Sequence, residues 1–330
     1  MPALTRRAPS APPDARPART DAAAAPAAAE RARMIASDAE AGAAKRPRRH
    51  LVWEELPPWM QDNQFIHGGY RRPTNSFRKC FTSWLYLHNE TGNIMTHLAG
   101  ALAFLVLCFS VTRGLLLEFA TIDWRDVATL YAFLLGAVGC MGLSALFHTV
   151  NCHSHVVQRA YSKCDYVGIV FLIVGSCVPV FCYMFYCHPR LKAFYLALIF
   201  GLGALTVYVV VAPRFGTPEY RPLRAATFVA LGLSGVVPTA HALALFGWEY
   251  TLNAVQVPHM LLMGATYIAG AFIYGARIPE RWWPGRFDYW LHSHQIFHVC
   301  VLIAAAVHFA GVARALRWTH TTGVALCYAQ

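Results

Sequence analysis

Seven long apolar runs separated by short polar breaks organise the chain beyond residue 90. They fall at about 93–117, 128–149, 166–187, 193–211, 225–246, 254–275 and 290–313. A helix needs roughly 20 apolar residues to cross a bilayer, and each run meets or approaches that length, the fourth being short. Pro238 and Pro258 interrupt the fifth and sixth runs, and neighbouring helices can re-satisfy the backbone groups that such prolines free. The loops are short enough to join antiparallel neighbours in one bundle. The pattern predicts an all-α membrane protein, a seven-transmembrane helix bundle over residues 91–315, followed by a short extracellular tail over 316–330.

The chain before the first run reads differently. Residues 1–50 are rich in Ala, Pro and Arg and lack periodic apolar positions. Such a segment cannot bury enough surface to fold and reads as a disordered cytosolic tail. Its composition also resembles a transit peptide, but Asp14, Asp21, Glu30, Asp38 and Glu40 argue against one, and no apolar signal-peptide core follows. The first span is then the expected signal anchor. Residues 51–90 form a juxtamembrane segment in which Leu51–Met60 mixes aromatics, prolines and acids. Two readings stand for it: a short amphipathic helix from Pro58 to about Ile66 lying at the membrane surface, or an irregular collar packed on the bundle.

Composition agrees, with 56% hydrophobic and only 14% charged residues, where soluble chains are about 45–50% apolar. A net charge of +11 would suit nucleic acid, but its placement beside the spans assigns it instead to topology and anionic lipid. Half of the 28 lysines and arginines precede residue 92. If the N-terminus is cytosolic, Arg159, Lys163, Arg214, Arg221, Arg224, Arg277, Arg281 and Arg286 share its side. The opposite side keeps Arg113, Arg125, Arg190, Lys192, Arg314 and Arg317. The positive-inside rule therefore puts the N-terminus in the cytosol and the C-terminus outside. The sequon Asn89-Glu90-Thr91 is then cytosolic and unglycosylated. The ten cysteines contain no C-x-x-C pair. Those inside spans read as small packing residues, and a disulfide framework is not expected. Cys152 and Cys164 flank the second loop as a secondary metal or redox candidate.

The sharpest chemistry opens the last run. Ser293-His294-Gln295-Ile296-Phe297-His298 places two imidazoles four residues apart, on one helix face. Polar groups at membrane depth are expensive to insert, and two histidines at this spacing make half of a zinc site. The orientation supplies a third ligand. The second span ends at the same depth with Ser144-Ala145-Leu146-Phe147-His148, and the third begins there with Asp165-Tyr166-Val167-Gly168. His148, His294 and His298 around an open fourth position match catalytic Zn2+. Asp165 is then placed to hold or activate water at the metal, and Ser144, one turn before His148, could hydrogen-bond the same water. Asp165 has a plain alternative as the N-terminal cap of the third span.

Other polar residues carry weaker signals. His241, His259 and His308 read as interhelical hydrogen-bonders. Glu90-Thr91-Gly92-Asn93-Ile94-Met95-Thr96-His97 could cover the inner face of the site, but capping the first span is its preferred role. Arg224 opens the fifth span and could bind a lipid carboxylate or phosphate; plain topology is the alternative. The chain has no Gly-rich phosphate loop and no G-x-S-x-G elbow. The seventh run has no lysine for a retinal Schiff base.

Ser144…His148, Asp165-Tyr166 and Ser293…His298 resemble the three signature motifs of the progestin and adipoQ receptor family, nearest its adiponectin-receptor branch. The resemblance runs from about Leu56 to Phe309. It includes Leu56-Pro57-Pro58-Trp59, Asp62-Asn63, Glu90-Thr91-Gly92-Asn93-Ile94, Phe147-His148-Thr149-Val150, Cys152-His153-Ser154, Leu233-Ser234-Gly235-Val236-Val237-Pro238-Thr239 and Ala276-Arg277-Ile278-Pro279-Glu280-Arg281. It implies seven helices with a cytosolic N-terminus, zinc on His148, His294 and His298, and Asp165 close to the metal's water. It also implies a link to ceramide and fatty-acid metabolism through ceramidase-type activity.

The leading expectation is a zinc-dependent hydrolase of ceramide-like lipid amides in a multi-pass plasma-membrane receptor, with internal membranes as the alternative location. Ceramide or a fatty acid would be its lipid partner, an adiponectin-like protein its extracellular ligand, and a cytosolic adaptor its inner contact. Nucleic acid is not expected. The competing readings are a signalling receptor with purely structural zinc and, behind it, a zinc or sterol sensor or a transporter.

Overall fold

The computed structural model describes residues 49–115 and 117–323; the tail assigned to residues 1–50 lies almost wholly outside them. Among the described residues nine α-helices follow one another: α1 (Phe77–Thr82), α2 (Thr91–Arg113), α3 (Trp124–Val150), α4 (His155–Met184), α5 (Pro189–Val211), α6 (Arg221–Leu233), α7 (Val236–Val255), α8 (Val257–Ala276) and α9 (Ser293–Trp318). Among the described residues seven helical segments are long and apolar enough to cross a membrane, with α6 and α7 joining into one span over Pro222–Val255. A backbone in hydrocarbon must satisfy its own polar groups, so each apolar run folds as helix.

Local chemistry sets the ends. The Ser76 hydroxyl accepts from Lys79 N at the start of α1. Asp123 and Asp126 form a reciprocal capping box on α3, and Ser154 caps α4 by accepting from Val157 N. Three expectations change. First, α4 begins at His155 rather than near residue 166. Gln158, Arg159 and Lys163 break the apolar run without breaking the helix, so Asp165 sits well inside α4 and caps nothing. Second, Pro238 and Pro258 lie in the first turns of α7 and α8, where a missing N–H leaves no hydrogen bond unmade. They initiate helices instead of interrupting them. Third, of the two readings of the juxtamembrane segment, the helix from Pro58 to about Ile66 gives way to a single 3-10 turn at Pro58–Met60. Leu51 bridges Tyr70, and Leu51, Leu56, Ile66 and Tyr70 bury one another in a small apolar cluster. Residues 49–90 thus form the irregular collar. At the other end of the chain, α9 continues to Trp318 and passes into a π-helical turn over Thr319–Gly323, so the first part of segment 316–330 is helical.

Two apolar clusters hold the bundle. Phe104, Phe133, Leu134, Met141, Ala305 and Leu316 pack α2, α3 and α9 together. Phe181, Phe185, Tyr195, Ile199 and Leu231 pack α4 with α5 and α6. The outer surface exposes Phe109, Leu135, Phe171, Phe200, Leu262 and Phe272, as lipid-facing helices do. The tightest seam is between α3 and α4. A Cβ on Gly136 would come within 2.6 Å of the Phe171 carbonyl oxygen, and one on Gly175 within 2.5 Å of that of Ala132. Small residues let membrane helices approach at backbone distance. Here that approach brings the last turns of α3 against the first half of α4.

Candidate metal centre

His148 from α3 and His294 and His298 from α9 converge at one end of the bundle. Their ring centroids are 4.8, 4.8 and 4.9 Å apart, a nearly equilateral triangle. One nitrogen from each lies within 4.8 Å of the others, and His148 and His298 are buried while His294 is partly so. Nitrogens in a tetrahedral zinc shell sit roughly 3.3 Å apart, given Zn–N of about 2.0–2.1 Å.

The neighbours of the rings decide which nitrogen is offered. His148 Nδ1 lies 2.8 Å from Glu90 Oε2, and His298 Nδ1 lies 3.1 Å from the Asn93 carbonyl oxygen. A carboxylate and a carbonyl only accept, so both Nδ1 atoms donate and both Nε2 atoms keep their lone pairs. His148 Nε2 is buried without any partner. An orphaned buried acceptor is costly, and a metal ion resolves that cost; the donor set fits one. Ligating histidines ordinarily donate their second nitrogen to such a carboxylate or carbonyl. Around the triad, His97 stacks on His298 with centroids 3.6 Å apart and planes 8° apart. Tyr274 lies 4.7 Å from the His294 ring.

Glu90 is the largest departure from the sequence reading. It stands at the N-cap position of α2, yet its side chain caps nothing. Its carboxylate accepts from His148 Nδ1, Asn93 Nδ2 and Asn151 Nδ2, so it orients a member of the histidine triad instead of capping a helix. The signal was an acidic residue at membrane depth, but the partner 58 residues away depends on helix packing. Glu280 likewise carries no sequence signal of its own. It is fully buried and accepts from the Ser293 backbone N–H at 2.8 Å, the Ser293 hydroxyl and Asn63 Nδ2. It anchors the first turn of α9 one residue before His294.

Asp165 lies near Ser144 and His148 across the α3–α4 seam, and the Ser144 side chain is buried. The guanidinium of Arg224 donates to the carbonyls of Phe215 and Thr217, clamping the preceding loop. His241 and His308 are interhelical hydrogen-bonders, 2.8 Å from the Tyr195 hydroxyl and 3.1 Å from the Ser176 carbonyl; His259 Nδ1 is buried without a partner. Cys164 is exposed and Cys152 fully buried, and the neighbour of Cys152 is Cys80, not Cys164. At the far end, past α4, Cys187 is disulfide-bonded, a bond the sequence reading did not expect.

Beneath the triad the collar is locked to α3. Arg71 is buried and donates to the carbonyls of His148 and Thr149, to Asn151 Oδ1 at 2.7 Å and to Ser83 Oγ at 2.8 Å. Trp84 Nε1 adds a 3.0 Å bond to the Thr149 hydroxyl. His88, in the same collar, is driven by burial and then by the Arg71 charge down to about 3, so it is neutral at physiological pH.

Seven apolar helices around a buried three-histidine cluster define a multi-pass membrane protein with a site competent to hold a metal. The chain belongs to the haemolysin-III-related family, which includes the progestin and adipoQ receptors: the family model described as Haemolysin-III related matches residues 85–309. It is 45% identical over 261 residues to the adiponectin receptor protein of Drosophila melanogaster, covering 79% of this chain and 58% of that one. It is 43% identical over 263 residues to progestin and adipoQ receptor-like protein 1 of Caenorhabditis elegans, covering 79% and 60%. It is 37% identical over 283 residues to heptahelical transmembrane protein 1 of Arabidopsis thaliana, covering 84% of each. The chain spans about three-fifths of the length of the fly and nematode relatives.

Proposed function

We propose that the chain is an adiponectin-receptor-like membrane protein that hydrolyses ceramide-like lipid amides at a zinc site on His148, His294 and His298. The observation that carries this reading is the buried, unpartnered Nε2 of His148 facing two further imidazoles, with the carboxylate of Asp165 near His148 and Ser144. Zinc held there supplies Lewis acidity, polarising the amide carbonyl and making water easier to deprotonate. Asp165 accepts the proton of the attacking water, and Ser144 holds the Asp165 carboxylate in place. Water oxygen bonds to the carbonyl carbon, the C–N bond breaks, and Asp165 returns the proton to the departing amine. The products are a fatty acid and a long-chain amine. Arg224 holds the acid's carboxylate, exchanging its bonds to Phe215 and Thr217 for it.

The N-terminus is cytosolic and the C-terminus extracellular in this reading, and the plasma membrane is the host. The charge distribution supports the orientation. So does cysteine chemistry: Cys187 is disulfide-bonded at the end opposite the triad, while Cys80 and Cys152 on the triad's side are free, as reducing cytosol requires. An adiponectin-like protein would bind outside, and an adaptor would meet the collar inside.

Metal content and ceramide turnover measured on one purified preparation test the proposal, wild type beside Asp165→Ala and His298→Ala. Expected are zinc in the wild type, zinc without turnover in Asp165→Ala, and neither in His298→Ala. Undiminished turnover in either variant overturns it. A receptor with structural metal is the second reading, favoured because the ligands tie α3 to α9. In that case His298→Ala lowers the melting temperature and no preparation turns over ceramide.

A further inference from the structure

The collar and the end of α3 hold two thiols in contact. Cys80 in α1 and Cys152 just past α3 are separated by 72 residues, yet their Sγ atoms are 3.7 Å apart, van der Waals distance for two sulfurs. Both side chains are fully buried, in a small cluster with Val150. Their surroundings are not those of inert core thiols. Thr74 Oγ1 is 3.2 Å from Cys80 Sγ, and the backbone on each side is tied: Thr74 N donates to the Cys152 carbonyl and Asn75 N to that of His153. The Cys152 thiol, the Thr74 hydroxyl and the Arg71 charge together pull the Cys80 thiol below its ordinary range against the effect of burial, and the thiolate is the reactive form.

We propose that Cys80 and Cys152 form a peroxide-oxidisable dithiol, a modification site at which a reversible disulfide fastens the collar to the segment four residues past His148. The Cys80 thiolate attacks one oxygen of hydrogen peroxide, breaking the O–O bond, and leaves a sulfenic acid and hydroxide. The Cys152 sulfur then displaces that oxygen, which departs as water when the Cys152 proton is counted. The sum is two thiols and one peroxide giving one disulfide and two waters, with both sulfurs oxidised and peroxide reduced. The sulfurs must close from 3.7 Å to roughly 2.05 Å, a movement shared by a short helix and a loop. Burial selects a small neutral oxidant and excludes bulky disulfides, so glutathione disulfide should act poorly where peroxide acts.

The disulfide would cross-link two segments already joined by the Arg71 and Trp84 hydrogen bonds, and it would close a long loop. The oxidised collar should resist local opening that the reduced collar permits.

The test uses the full chain in lipid nanodiscs. Protein treated with graded hydrogen peroxide is quenched, alkylated under denaturing conditions, digested and analysed by mass spectrometry. A Cys80–Cys152 cross-linked peptide is expected at doses that also oxidise exposed Cys164, and dithiothreitol should remove it. The melting temperature should rise by several degrees on oxidation and fall back on reduction. Cys152→Ser should leave Cys80 trapped as a sulfenic acid that reacts with dimedone. Recovery of both thiols in alkylated form from wild type, at doses that fully oxidise Cys164, overturns the proposal. So does a cross-link of either thiol to a different cysteine. The wild-type mapping stands even if a serine variant fails to fold.

Discussion

Residue scale shows how few side chains set the candidate site. Glu90 fixes His148 with its lone pair turned inward, and the Asn93 carbonyl does the same for His298. Carboxylates in this position ordinarily contribute about 10- to 100-fold in metal affinity. Glu90→Gln, which keeps shape but loses charge, should weaken binding by about that factor in a chelator competition. An affinity within twofold of wild type would show that Glu90 merely fills space. A second prediction concerns pH. His88 titrates at about 3 in the folded chain because of burial and then the Arg71 charge, and near 6.5 when unfolded. Between those values the unfolded chain binds the extra proton. This contribution is therefore complete above pH ~6.5 and is lost as pH falls towards 3, by at most about 1.4 kcal/mol per pH unit. Melting at pH 5 should lie below melting at pH 7, and His88→Gln should flatten the difference. The histidine triad was legible because polar groups stand out in apolar runs. Glu90 and Glu280 were not, because each is explained only by its partner, 58 and 13 residues away.

At the scale of elements, the α3–α4 seam does the positioning. Ser144 and His148 lie near Asp165 where Gly136 and Gly175 let the backbones of α3 and α4 touch. Gly175→Ile should force the helices apart, costing about 1–3 kcal/mol of stability and lowering metal occupancy together with it. Gly142→Ala is the control: a Cβ there meets nothing within 4 Å, so thermal unfolding should be unchanged or slightly improved, by up to about 1 kcal/mol. If Gly175→Ile unfolds like wild type, the seam is looser than the geometry requires. Hydropathy located these helices well and their ends poorly. Polar residues on one face of α4, including Lys163, which donates to the Val211 carbonyl, end an apolar run without ending a helix. Proline signals are likewise ambiguous in sequence, since a ring that breaks a helix interior opens a helix just as well.

For the whole molecule, the collar, the triad and the starts of α2, α4 and α9 gather at one end, and the Cys187 disulfide marks the other. A protease-sensitive tag placed before residue 49 should survive protease on intact cells and be cut after permeabilisation. A tag after residue 323 should be cut in both. The reverse pattern would invert the proposed orientation. The sequence by itself determined the seven spans and the identity of the three histidines, because the cost of placing polar groups in hydrocarbon is written one residue at a time. The tertiary structure alone decided which nitrogen each ring offers, what holds it, and that the collar is clamped under His148 by Arg71. Those contacts join residues far apart in the chain, and only the packing of helices at backbone distance selects one such arrangement.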